Sequence, residues 1–286
     1  MDSWISAALL GVVEGVTEFL PISSTGHLIL ANSLLGLSGQ KIATFDVIIQ
    51  LGAILAVVVL YRRRFMGLLA PSLLYSSQDQ SRPAEPTLRA SLRFSGVRGL
   101  FLLLLTSLPA SLLGLASHDF IKANLFDPTT VAWALGAGAI IILVIETLRL
   151  KPRYDSLDDI TPLLALGIGC FQCLALWPGF SRSAATIMGG MILGARRTMA
   201  AEYSFIAAVP IMVAATGLEL INNIGLFTSS DLMFLVIGFA VSFISAWAAI
   251  KFFIALLGRT TLRPFAYYRL ALAPLVLLFW TTGADS

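Results

Sequence analysis

Glu14, Glu18, His27 and Arg182 stand in two otherwise apolar segments, each beside a run of hydroxyl residues. The first, residues 11–27, reads Gly-Val-Val-Glu14-Gly-Val-Thr-Glu18-Phe-Leu-Pro21-Ile-Ser23-Ser24-Thr25-Gly-His27, and the second, residues 169–186, reads Gly-Cys-Phe-Gln172-Cys-Leu-Ala-Leu-Trp-Pro178-Gly-Phe-Ser181-Arg182-Ser183-Ala-Ala-Thr186. An ionisable residue in a hydrocarbon core costs at least about 2.5–3.5 kcal/mol on insertion scales, so each marks a functional site. Glu14 and Glu18, four apart, share one helix face and repel unless a cation lies between them. That cation is expected to be Arg182, a divalent ion, or both. Mg²⁺ and Ca²⁺ take oxygen ligands, and Mg²⁺ commonly uses one or two carboxylates plus substrate phosphate. Arg182 follows Pro178-Gly179, where a helix would restart. It joins a planar donor fork to a helix N-terminus, an arrangement suited to phosphate or diphosphate, and Ser181, Ser183 and Thr186 add hydroxyl donors. Ser23, Ser24, Thr25 and His27 supply nucleophile and acid–base groups; a hydroxyl attacks well only with a base to take its proton, and Glu18 and His27 are both available.

The elements that position these groups are read as membrane helices. The chain has 286 residues, 57% hydrophobic and 12% charged, where a soluble domain carries about 25% charged residues. Runs long enough to cross a bilayer, about 17–25 residues, fall at roughly 45–61, 99–117, 128–150, 199–221, 231–257 and 265–281. Two more apolar regions, about 3–36 and 160–195, are broken at Pro21–Gly26 and Pro178–Ser183. Irregular backbone at membrane depth survives only where protein or a polar cavity satisfies it, so each reads as a re-entrant helical hairpin. The predicted fold is therefore an all-α integral membrane domain, 1–286, with six full transmembrane helices and two re-entrant hairpins.

Charge tests that assignment. Fourteen of the 19 Lys and Arg fall in segments 62–98, 149–159, 195–198 and 258–264, all on one side. Lys251 and Arg269 are expected to reach the same surface by snorkelling. Only Lys41 and Lys122 face the other way, and the last cation is Arg182 itself. The basic side is cytoplasmic by the positive-inside rule, which places both termini outside. The opening Met1-Asp2-Ser3 reads as no cleavable leader, since Glu14 and Glu18 interrupt the apolar stretch. The segment 62–98 reads as a flexible cytoplasmic loop. Cys170 and Cys173, with no second ligand pair, read as two small residues of a membrane helix.

The two halves echo each other. Gly11-x-x-Glu14 parallels Gly169-x-x-Gln172, Pro21-x-x-Ser24-Thr25 parallels Pro178-x-x-Ser181-Arg182, and Asp46 with Ile49 parallels Glu202 with Phe205. With the hairpins entering from opposite sides, the chain reads as an inverted-topology repeat, about 3–117 and 160–257, whose polar site lies where the breaks meet.

These motifs closely resemble the two signatures of the bacterial undecaprenyl-diphosphate phosphatase family, the bacitracin-resistance type. The similarity extends over nearly the whole chain and includes Phe45-Asp46-Val-Ile-Ile-Gln50-Leu-Gly and Ala201-Glu202-Tyr-Ser-Phe. The resemblance implies a multi-pass enzyme of the bacterial inner membrane whose active site opens to the periplasm. It would hydrolyse undecaprenyl diphosphate to undecaprenyl phosphate and inorganic phosphate, recycling the C55 lipid carrier for peptidoglycan. It implies dependence on a divalent cation, Mg²⁺ or Ca²⁺, held by Glu14 and Glu18, with Ser24 and His27 as the reactive groups and Arg182 on phosphate. Expected partners are the lipid substrate and membrane lipids, with bacitracin competing for the substrate, a homodimer left open, and no nucleic acid. One departure is Ala184, where the family usually has Gly.

Ser24, His27 and a metal-bound water all stand as nucleophile candidates. The rival class is a lipid-phosphate flippase on the same repeat plan, which needs no nucleophile and base. Another lipid-phosphatase fold would need Lys-x6-Arg-Pro, and an intramembrane protease would need Gly-x-Gly-Asp or a Gly-x-Ser-Gly within a span; the chain lacks the first two, and its Gly36-Leu-Ser-Gly39 falls between apolar runs.

Overall fold

The computed structural model describes residues 4–69, 94–125, 127–148 and 150–283. Among them the secondary structure is helical throughout, apart from one isolated bridge between Tyr154 and Ala195. The first broken pair is α1 (Trp4–Thr17) and α2 (Ser24–Leu34), followed by α3 (Gln40–Leu60), α4 (Arg62–Leu69), α5 (Gly96–Ala116), the short α6 (His118–Asn124) and α7 (Pro128–Thr147). The second is α8 (Pro162–Gln172) and α9 (Arg182–Ile192), followed by α10 (Arg197–Asn223), α11 (Leu232–Leu257) and α12 (Arg263–Gly283). Helix starts follow local chemistry. Asp127 caps α7 by accepting from the Thr129 and Thr130 N–H groups at 2.8 and 3.3 Å, and Thr161 caps α8 through Leu164 N–H at 3.2 Å. In both, proline occupies the first turn, where no intrahelical donor is needed.

Five of these helices, α3, α5, α7, α10 and α11, are long and apolar enough to cross a membrane. The sixth expected span, 265–281, is helical within α12 but is not one of the five. Large side chains such as Trp133, Leu163, Ile244 and Phe252 point outward, as on a surface solvated by lipid rather than water.

Each broken pair packs against a straight helix of the other half. Gly11 and Gly15 form a small-residue stripe on α1 that lets its backbone approach α11. A Cβ on Gly15 would lie 2.4 Å from the Ser242 carbonyl oxygen, and one on Gly11 would lie 2.6 Å from that of Gly238. On the other side, a Cβ on Gly169 of α8 would lie 2.5 Å from the Thr106 carbonyl oxygen of α5. Close backbone contact through glycine is how membrane helices associate without a hydrophobic drive between them. The interior is filled by an aromatic chain, Phe19–Phe205–Phe253–Phe265, with centroid spacings of 5.2, 6.0 and 5.2 Å.

The expected loop 62–98 begins as helix α4, and both of its described ends are anchored to the segment before α8. Asp158 pairs with Arg64 at 3.3 Å and accepts from the Phe94 N–H at 2.9 Å, while Arg98 donates to the Ile160 carbonyl at 3.2 Å. Residues 70–93, with Arg82, Arg89 and Arg93, lie outside the described residues, as do Arg149 and the two terminal tripeptides.

One expectation is overturned. Arg269 does not snorkel to the basic surface; it is fully buried. Its donors are satisfied by backbone carbonyls of the interior, so the membrane penalty that would drive it outward is offset locally.

Gly15→Ala is expected to overpack the α1–α11 contact by about 1–3 kcal/mol and lower the melting temperature in detergent. Gly136→Ala, with nothing within 4 Å of its Cβ position, should leave it unchanged.

Candidate active site

Each helix break ends on a serine in left-handed backbone. Ser23 has φ +71° and Ser181 has φ +77°, the only non-glycine residues with positive φ among those described. Each caps the following helix with its hydroxyl, accepting from the Gly26 N–H at 3.4 Å and the Ala184 N–H at 3.3 Å respectively. A non-glycine residue in this region costs of the order of 1–3 kcal/mol and persists only where its surroundings over-determine it. The separation of Ser23 from Ser181 equals that of Gly11 from Gly169, so the structural repeat aligns Ser24 with Arg182. The echo anchored on Pro21 and Pro178 is therefore out by one residue, because the caps and not the prolines occupy equivalent places.

Glu18 joins the two breaks. Its Oε1 accepts from Arg182 Nη2 at 3.1 Å and its Oε2 accepts from the Ser24 hydroxyl at 2.5 Å. Arg182 also donates through Nη1 to the Ser204 carbonyl at 3.0 Å and lies 5.6 Å from the Phe19 ring centroid. The Glu18 and Arg182 side chains are only 7% and 14% exposed. They open onto a cavity of about 150 Å³, lined also by Ser23, Ser24, Thr25, Ser181, Gly179 and Gln50. That volume suits a headgroup, not a lipid tail.

Of the ten residues singled out from the sequence, six thus meet at one cavity: Glu18, Ser23, Ser24, Thr25, Ser181 and Arg182. The other four do not line it. Ser183 donates to the Leu20 carbonyl at 2.9 Å, bracing one break against the other. Thr186 donates to the Arg182 carbonyl at 2.9 Å and meets the Ser204 hydroxyl at 2.6 Å, fixing the helix that carries the arginine. His27 Nδ1 lies 2.7 Å from the Ser23 carbonyl and its Nε2 lies 2.7 Å from the Tyr268 hydroxyl. Glu14 sits one turn before Glu18, fully buried, with both carboxylate oxygens unpartnered. Its charged neighbours are Glu18, Asp46 and Arg182.

Among the described residues no group of three or more His, Cys, Asp and Glu is arranged to hold a metal. The observation that bears on a cation is the buried Glu14 carboxylate. Two orphaned carboxylate oxygens in an apolar interior call for a counter-charge, and a hard cation there would draw its remaining ligands from water or phosphate.

Sequence reasoning passed over two residues that matter here. Gln50, a polar residue inside the apolar run of α3, lines the cavity, and that position was its available signal. Arg269 gave the same signal, a charge inside an apolar run, but its place near a basic loop read as snorkelling. From α12 it donates Nη1 to the Pro21 carbonyl (3.3 Å), Nη2 to those of Gly179 (3.2 Å) and Ala134 (3.1 Å), and Nε to that of Leu135 (3.1 Å). One guanidinium thereby holds both breaks and α7. Gly138 leaves the room, since a Cβ there would fall 2.2 Å from Nη2.

The family described as bacitracin resistance protein BacA matches residues 7–275, which include both breaks, the whole cavity lining and Arg269. An undecaprenyl-diphosphatase of Maridesulfovibrio salexigens is 65% identical over 281 residues, 98% of this chain and 100% of that protein. One from Nitratidesulfovibrio vulgaris is 64% identical over 279 residues, covering 98% and 99% of the two chains. Another, from Lawsonia intracellularis, is 50% identical over 281 residues, covering 97% and 99%. With the match running from α1 into α12, this chain belongs to the bacitracin resistance protein BacA family.

Proposed function

We propose that this protein is an undecaprenyl-diphosphate phosphatase, converting undecaprenyl diphosphate and water to undecaprenyl phosphate and inorganic phosphate. The observation that carries the mechanism is the Ser24–Glu18–Arg182 chain, in which a hydroxyl, a carboxylate and a guanidinium meet at a headgroup-sized cavity. Glu18 Oε2 takes the Ser24 proton as Oγ attacks the terminal phosphorus, and the bond to the bridging oxygen breaks to release the lipid monophosphate. Glu18 passes that proton to the departing lipid monophosphate; water then attacks the phosphoserine, gives a proton to Glu18, and Glu18 returns it to Ser24 Oγ as inorganic phosphate leaves. Phosphoryl transfer depends mostly on positioning and charge neutralisation. Arg182, with the hydroxyls of Ser23, Thr25 and Ser181 and the start of α9, supplies donors to the non-bridging oxygens. A divalent cation, Mg²⁺ or Ca²⁺, bound by Glu14 and Glu18 would neutralise the diphosphate. Ser183 and Thr186 act by holding the breaks, not by touching phosphate. Ser24 is favoured over His27 as nucleophile because Ser24 lines the cavity beside its base, whereas His27 Nδ1 is committed to the Ser23 carbonyl.

The lipid-flippase reading is weaker. A flippase has no use for a hydroxyl hydrogen-bonded to a carboxylate, and the relatives carry the phosphatase name over their full lengths. The proposed setting is the bacterial inner membrane, crossed six times with two re-entrant hairpins, both termini and the active site facing the periplasm. The side-to-side asymmetry of Lys and Arg supports that orientation. There the enzyme would recycle the lipid carrier for peptidoglycan, compete with bacitracin for the diphosphate and so raise resistance to it; a homodimer is compatible with this setting.

Purified protein in detergent is expected to release phosphate from undecaprenyl diphosphate. Ser24→Ala, Glu18→Gln and Arg182→Ala should each lower kcat by at least about a hundredfold; near-normal turnover in Arg182→Ala would sink this site. Chelation should stop turnover, and added Mg²⁺ or Ca²⁺ should both restore it and raise the melting temperature. That thermal shift is expected to vanish in Glu14→Gln. For orientation, single cysteines replacing Lys41 and Arg259 in a background free of Cys170 and Cys173 should label from opposite sides of intact cells, with Lys41 outside. Labelling from the same side would overturn the topology.

A further inference from the structure

The groups just assigned leave His27 unused, although it stands three residues after Ser24 with both ring nitrogens engaged. A carbonyl can only accept, so Nδ1 carries the proton that bonds to the Ser23 oxygen. In the neutral ring Nε2 is then an acceptor, and the partner facing it is the Tyr268 hydroxyl at 2.7 Å. The two rings are nearly parallel, 6° apart, with centroids 5.5 Å apart. The carbonyl thus fixes the tautomer, and the hydroxyl, donating to Nε2, holds the far edge of the ring. The recipient of the selected N–H is the left-handed Ser23, whose carbonyl carbon is bonded directly to the nitrogen of Ser24. Its alternative partner along the backbone is the His27 N–H, a weak 3.4 Å contact. The orientation of the Ser23–Ser24 peptide therefore depends on the imidazole, and the orientation of the imidazole on a phenol from the far end of the chain.

We propose that Tyr268 is a positioning residue for this reaction: by donating to Nε2 it holds the His27 ring in the orientation that turns Nδ1–H onto the Ser23 carbonyl, and that N–H fixes the strained Ser23 peptide which aims Ser24 at the substrate. The inference rests on the phosphatase reading given above. It makes His27 a buttress of the nucleophile in place of a nucleophile or base. It also explains why a half-exposed tyrosine on α12 reaches across to the first break beside Arg269, which grips the Pro21 carbonyl of the same turn. The requirement is a donor at the position of Nδ1, which an asparagine amide reproduces and a glutamine amide, one methylene longer, does not.

The test is phosphate release from undecaprenyl diphosphate by the full-length protein in detergent, with kcat and KM separated. His27→Asn is expected to stay within about tenfold of wild type, while His27→Gln and His27→Ala fall by about a hundredfold, the scale of a misplaced reacting group. Tyr268→Phe should lower kcat by about three- to tenfold with KM unchanged, and should have no further effect in the His27→Asn background, where there is no imidazole ring to hold. If Asn is as damaging as Ala in folded protein, or if the Tyr268→Phe effect is equal in both backgrounds, the proposal fails. Should His27→Asn not fold, Tyr268→Phe with unchanged kcat, or with a change in KM alone, overturns it by itself. Absence of phosphate release by wild type with metal present would instead refute the phosphatase reading, so the two failures are distinguishable.

Discussion

A helix broken inside a membrane frees carbonyls and amides that no water can reach, and each unsatisfied group costs several kcal/mol. Two helix breaks face each other in this protein's interior, and a single guanidinium answers for much of both. Arg269 is the largest fully buried side chain and bonds carbonyls from the first break, the second break and α7. Arginine suits the task because its donors lie in a rigid planar fork and it keeps its charge. A lysine would bring a compact point charge to a place where four oxygens lie spread around a plane. The cost of burying the cation is offset by carbonyl dipoles and not by a carboxylate. Glu18 therefore stays free for Arg182 and Ser24.

The site geometry descends from that anchoring. With the breaks held together, each can close on a left-handed serine cap, and the next residue is presented at an equivalent place in the repeat. On one side that residue is Ser24 and on the other Arg182, and the two meet on opposite oxygens of Glu18. The halves share a backbone device while differing in chemistry. The same holds one step earlier, where Glu14 aligns with Gln172: both are buried and both keep an unpartnered side-chain oxygen. Only the glutamate brings a charge. Repetition thus yields an asymmetric centre, with the carboxylates and the serine hydroxyl from the first half and the guanidinium from the second.

The sequence disclosed the features that contradict their surroundings. Glutamates in an apolar run, paired Pro-Gly-hydroxyl interruptions and the echo between halves all stood out because a bilayer-spanning helix has no use for them. Interactions with backbone stayed hidden. Arg269 lies in an apolar helix near a basic loop, where snorkelling is the default expectation, and no complementary charge betrays its partners. Ser183 and Thr186 had the composition of phosphate ligands, yet their hydroxyls are spent on the Leu20 and Arg182 carbonyls, which composition cannot reveal. The register slip had a similar origin, since proline is conspicuous in sequence while the residue that must cap the helix is decided by φ.

Before substrate arrives, the centre is a closed chain: Ser24 to Glu18, Glu18 to Arg182, Arg182 to the Ser204 carbonyl, and the Ser204 hydroxyl to Thr186. A diphosphate entering this cavity brings more negative charge than Glu18 holds and competes for the same guanidinium. Arg182 can turn toward phosphate without leaving Ser204, because the two contacts use different nitrogens, Nη2 and Nη1. On that reading Glu18 loses its counter-ion on one oxygen while the other still accepts from the Ser24 hydroxyl. In the proposed mechanism the anion to be attacked would thus also release the base, and a buried ion pair that costs desolvation at rest would couple binding to activation. The strain held at Ser23 and Ser181 fits the same logic. Backbone held in a strained conformation on both sides of the cavity suits a centre in which side chains, and not the backbone, are to exchange partners.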